Sequence, residues 1–153
     1  MVQAASGPDG KWIITAGEDG TSCIWDPTAQ EIIATFKQSG TVTRACFSPD
    51  GAYALTAGVD GMTRLWDLAN AQPWNRVLKH KGIVRTIAFS RDGQWVLTGG
   101  DAATAQLWNA STGEEVGPAL PHKTQVIDVS FNADATLMAT ASADGTAKIR
   151  RQQ

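Results

Sequence analysis

One pattern recurs four times along the 153-residue chain, displaced by 41, 42 and 42 residues. It is an apolar run, a turn built on Asp-Gly or its equivalent, a second apolar run ending in Thr-Ala or Thr-Gly, another turn, and a third run closing on Trp. The copies are anchored at Asp9-Gly10, Thr15, Asp19-Gly20 and Trp25, then at Asp50-Gly51, Thr56, Asp60-Gly61 and Trp66. The third copy has Asp92-Gly93, Thr98 and Trp108, and the fourth Asp134, Thr140 and Asp144-Gly145, with Arg150 where Trp would fall. A repeat of this length with Asp-Gly turns implies a four-stranded unit used again and again. Repeat architectures of this kind mostly present a surface to partners, so binding is the expected activity.

Within a repeat the turn signals lie about ten residues apart, which fits strands joined by tight hairpins. In the second repeat the spacing predicts strands over 42–47, 53–57, 63–66 and 74–78. The inner strands carry continuous apolar pairs, Ile13-Ile14, Ala54-Leu55, Val96-Leu97 and Leu137-Met138. Such strands are expected to be covered on both faces, as in small sheets stacked face to face. No segment has helical periodicity, and no Pro/Ser/Gly linker divides the chain, so residues 1–153 read as one all-β domain with repeats over about 1–37, 38–79, 80–121 and 122–153. A net charge of −2 gives no broad attraction to nucleic acid or anionic membrane. No apolar run approaches 18 residues, and the first residues lack a signal-peptide pattern. Cys23 and Cys46 make neither a disulfide framework nor a metal-ligand spacing, so two buried thiols in the cytoplasm are expected.

The Trp-Asp endings at 25–26 and 66–67, Phe47-Ser48-Pro49-Asp50-Gly51, and the Asp-Gly pairs preceding Trp together resemble the WD-repeat β-propeller family. The resemblance implies an all-β propeller segment of about four blades, each of four antiparallel strands, with the last blade incomplete. It further implies a buried tetrad of His, Ser or Thr, Asp and Trp in each blade. The matching residues are Thr15, Asp19 and Trp25; Thr56, Asp60 and Trp66; His80, Thr98 and Trp108; and His122, Thr140 and Asp144. Gln38 stands at a His position, Ala102 at an Asp position and Arg150 at a Trp position, so no repeat has all four members. A buried indole N–H needs an acceptor, a Thr hydroxyl can accept it and donate onward, and a His can join the hydroxyl to the Asp. Asp101, one residue early, is a candidate to stand in for Ala102.

That network accounts for the spacing of His80 and His122 without hydrolytic chemistry. No nucleophile elbow, oxyanion loop, zinc-ligand spacing, phosphate loop or dinucleotide fingerprint is found. The expectation is a non-enzymatic chain with no cofactor, no catalytic residues and no metal site. Family resemblance places the partner-facing mouth at Glu18, Thr41, Thr43, Val59, Ile83, Arg85, Asp101, Gln125, Ile127 and Ala143. These suit a protein or peptide partner on the top face. A second reading is a regulatory or sensor module of a longer signalling protein linked to a kinase or NTPase. Arg76, Lys79, His80, Lys81, Arg85 and Arg91 also make a locally basic stretch that could receive an acidic or phosphorylated segment. About fifteen strands are expected, one short of four full blades. This suggests association with the rest of a larger propeller, or a homodimer.

Overall fold

The hairpin signals become four sheets in the computed structural model, which describes residues 2–70 and 72–152. The first sheet comprises β1 Gln3–Ser6, β2 Ile13–Ala16, β3 Thr21–Asp26 and β4 Glu31–Lys37. The second comprises β5 Val42–Phe47, β6 Tyr53–Gly58, β7 Met62–Asp67 and β8 Gln72–Lys79. The third holds β9 Val84–Phe89, β10 Trp95–Gly100, β11 Thr104–Asn109 and the short β12 Leu120–Pro121. The fourth has three strands among the described residues, β13 Val126–Phe131, β14 Leu137–Ser142 and β15 Ala147–Arg151. Each sheet is an antiparallel meander in chain order. The first strand of each sheet packs against the first strand of the next, β1 on β5, β5 on β9 and β9 on β13. These strands therefore form the inner rank of four successive propeller blades, the last incomplete.

The Asp-Gly turns form because the aspartate carboxylate caps the backbone two residues on. Asp9, Asp19, Asp50, Asp60, Asp92, Asp134 and Asp144 each accept from the N–H of residue i+2 at 2.9–3.1 Å. The residue between must be left-handed, which glycine adopts without strain. Gly20 (φ 82°), Gly61 (φ 75°) and Gly145 (φ 80°) do so, but blade three has Ala103 at φ 57° and the first turn of blade four has Ala135 at φ 59°.

Stacking of the blades creates three apolar cores. Ile14, Ile24 and Phe36 of blade one meet Val42, Phe47 and Trp66 of blade two. Leu55, Leu65 and Leu78 meet Val96 and Trp108, and Leu97 and Leu107 meet Val126, Val129 and Met138. The expectation that all four central strands are covered on both faces holds for β6 and β10, where five successive residues are buried. It fails for β2 and β14, whose residues alternate between buried and half-buried. These strands belong to the first and last blades, which are stacked against a neighbour on one face only. Ile149, equivalent to the buried Leu65 and Leu107, is accordingly 73% exposed.

Candidate functional site: the inner groove and the blade clefts

The inner rank carries a repeated irregularity. Val42 pairs with Gly58 and Arg44 with Ala57, so Thr43 is an extra residue in the register. Arg85 is the extra residue between Val84 and Thr86, and Ile127 the one between Val126 and Asp128. A β-bulge bends its strand and re-aims a side chain. Close approach makes room for it: a Cβ on Gly100 would run into the Ile83 carbonyl oxygen. Thr43, Arg85 and Ile127 then converge, with Val2, Arg44 and Gln125, on one groove of 290 Å³. Ile127 is 47% exposed there.

Four of the ten positions expected at the mouth (Thr43, Arg85, Gln125 and Ile127) thus share a groove. The others pair along the blade rims: Val59 N–H donates to the Thr41 carbonyl (3.1 Å), Asp101 N–H to that of Ile83 (3.0 Å) and Ala143 N–H to that of Gln125 (3.0 Å). In blade one the Glu18 carbonyl accepts from the Thr41 hydroxyl at 3.1 Å. Val2 and Arg44 escaped the sequence reading. Strict alternation puts Arg44 on the face opposite Thr43, and only the bulge brings both to the groove. The guanidinium of Arg85 grips the Asp101 carboxylate through Nε and Nη2, and this pairing raises its pKa. Arg44 Nη1 donates to the Thr43 carbonyl at 2.9 Å. The basic stretch does not form one patch: His80 turns inward, and Arg91 lies beyond the opposite end of β9.

The hydroxyl at the heart of each of blades one to three is wired to its indole: Trp25 Nε1 donates to Thr15 (2.9 Å), Trp66 to Thr56 (2.8 Å) and Trp108 to Thr98 (2.8 Å). The residue eighteen positions earlier meets the same hydroxyl. Thr56 donates to Gln38 Oε1 (2.7 Å), His80 Nδ1 lies 3.2 Å from Thr98 Oγ1, and His122 Nε2 lies 2.8 Å from Thr140 Oγ1. Gln38 therefore serves in place of histidine. The aspartates stand apart from this chain. Asp19 binds the Thr21 hydroxyl, Asp60 forms an ion pair with Arg64 at 2.8 Å, and Asp144 stays 3.9 Å from His122 Nδ1. Arg150 Nη1, at the fourth Trp position, donates to the Pro118 carbonyl. Asp101, committed to Arg85, does not replace the aspartate missing at Ala102. Burial lowers the pKa of both histidines, Glu115 opposing the effect at His80, and Lys148 adding to it while Asp144 opposes it at His122.

Two family models match the chain. One described as Cytochrome D1 heme domain matches residues 6–116, and one described as WD domain, G-beta repeat matches residues 118–150. No curated protein matches it. The first description raises the question of a haem. Haem iron takes an axial His, Cys, Met or Tyr, and the inner groove has none of these on its walls. Both histidines are held by blade hydroxyls, and the cleft lined by His80, at 240 Å³, falls below the ~300–1,000 Å³ of ordinary ligand pockets. Neither the inner groove nor the His80 cleft therefore fits a haem; the clefts lined by His122 and by Tyr53, at 340 and 460 Å³, lie within the volume range of ligand pockets.

Proposed function

Since the chain belongs to the β-propeller families, matching the cytochrome D1 heme-domain family over 6–116 and the WD repeats over 118–150, we propose that it is a non-enzymatic protein-interaction scaffold. One observation carries this reading: bulge residues of three different blades converge on a single groove, with a second arginine beside them. A groove that mixes two guanidinium groups, an amide and exposed Ile127 offers an extended peptide both polar anchors and an apolar contact. The WD-repeat match supports protein binding in general. The two cysteines, free among the described residues, agree with a cytoplasmic setting.

The half-covered faces of β2 and β14 support a second element of the proposal, that these blades stack within a larger ring, supplied by more blades or by another copy. Light scattering on the purified chain tests it. A dispersed species of one-chain mass that melts cooperatively would remove this element.

For the groove, peptides selected on the wild-type chain should lose binding to a variant carrying Arg44→Glu and Ile127→Asp whose melting curve matches the parent. Selected peptides that bind the two chains equally would overturn the assignment.

A further inference from the structure

Aspartates stand at positions 19, 60 and 144 of blades one, two and four, but blade three has Ala102 at that place. The neighbouring carboxylate, Asp101, is turned to Arg85. The histidine of that blade is His80. Thr98 Oγ1 accepts the Trp108 indole proton, so its own proton is free to go onward. The nearer acceptor is His80 Nδ1 at 3.2 Å, against the Gln106 carbonyl at 3.4 Å. The imidazole proton then sits on Nε2, and that N–H has no hydrogen-bond partner among the described residues although His80 is only 8% exposed. A buried donor left unanswered is costly, and any acceptor that reaches it recovers that cost.

The residue borders open space, although Nε2 itself is buried. His80 lines the 240 Å³ cleft together with Lys79, Lys81, Gln106, Trp108 and Glu115. The corresponding cleft of blade four is lined by His122, Lys123, Asp144 and Lys148. There a carboxylate is already in place: Asp144 Oδ2 accepts from the Lys123 backbone N–H at 2.8 Å. Blade three keeps the histidine, the following lysine and the cleft, has Ala102 in place of the aspartate, and carries Glu115 on the cleft wall.

We infer that the His80 cleft is a carboxylate-binding site, taking a small organic anion or the Asp or Glu side chain of a docked segment where the other blades have their own aspartate. The incoming oxygen accepts from His80 Nε2–H, and the ammonium groups of Lys79 and Lys81 supply the surrounding positive charge. Glu115, the one carboxylate among the lining residues, opposes the incoming anion. This site is separate from the inner groove and does not depend on what binds there.

The test is a titration of the full chain with acetate at fixed ionic strength, chloride being the replaced anion. The readout is the Nε2 resonance of His80 in a long-range ¹H–¹⁵N spectrum, with His122 as internal reference. A saturable shift at His80 and none at His122 is expected. Glu115→Gln should tighten acetate binding. Ala102→Asp should weaken it by about tenfold or more, the order lost with a charge-assisted hydrogen bond. N-acetyl-glutamyl amide, titrated alongside, separates the two sources: tighter binding than acetate assigns the site to an acidic side chain, weaker binding to a free anion. A His80 shift that is linear in acetate, or one that chloride reproduces, overturns the inference. The wild-type titration decides this alone should the Ala102→Asp chain not fold.

Discussion

Phe36 of blade one stacks on Trp66 of blade two, with ring centroids 4.4 Å apart and planes 17° from parallel. Trp66 thereby joins two roles, since its indole N–H also holds Thr56. Trp66→Ala should cost roughly 3–5 kcal/mol in urea denaturation, through the cavity and the lost stacking. Trp25→Ala should cost clearly less, because Trp25 is half-buried where Trp66 is buried. Equal losses at the two sites would show that stacking between blades does not set the difference.

Ala103 sits at φ 57°, where a Cβ is strained. Ala103→Gly should stabilise the chain by roughly 0.5–1 kcal/mol, the strain relieved less the extra chain entropy of glycine. The reciprocal change, Gly93→Ala, meets nothing closer than 3.8 Å, so strain at its φ of 71° is the term that acts. It should destabilise by a comparable amount in the same melts.

Burial lowers the pKa of His80 and His122 below the ordinary histidine value of about 6.5. The unfolded chain therefore binds protons first as pH falls, and folding stability drops with it. Stability should be flat above about pH 7 and decline as pH goes below 6.5 toward the folded-state values. A second decline should appear below pH 3.8, where Asp19, Asp50, Asp134 and Asp144, all lowered mainly by side-chain hydrogen bonds, become protonated in the unfolded chain. Melting temperatures across this range check both windows. His80→Gln together with His122→Gln should remove the first and leave the second.

Burial pushes the Cys46 thiol up to about 12. Iodoacetamide at neutral pH should therefore alkylate Cys23 while the native chain keeps Cys46 unmodified, and both should react in urea. Mass spectrometry of the digested protein reads the two sites separately. Both cysteines are half-buried, not fully buried as the residues led one to expect, and native-state labelling of Cys46 at the rate of Cys23 would mean that its thiol is reached without unfolding.

The blade repeat was legible in the residues because turn chemistry and hairpin spacing act over a few positions. Asp60-Gly61 caps and reverses the chain wherever it is placed, and Thr56 and Trp66, ten residues apart, must meet across the hairpin they enclose. Sequence separation hides the rest. Arg44 enters the inner groove only because a bulge at Thr43 breaks the alternation that the residues suggest. Asp101 stands beside Ala102 in the chain, yet it belongs to Arg85, and His80 Nε2 has no partner among the described residues. Local hydrogen-bonding rules, then, determined the strands, turns and indole–hydroxyl pairs. Which faces are covered, which charges pair and which side chains share a groove were decided by stacking one sheet on the next, a contact between residues about 42 positions apart that no local pattern encodes.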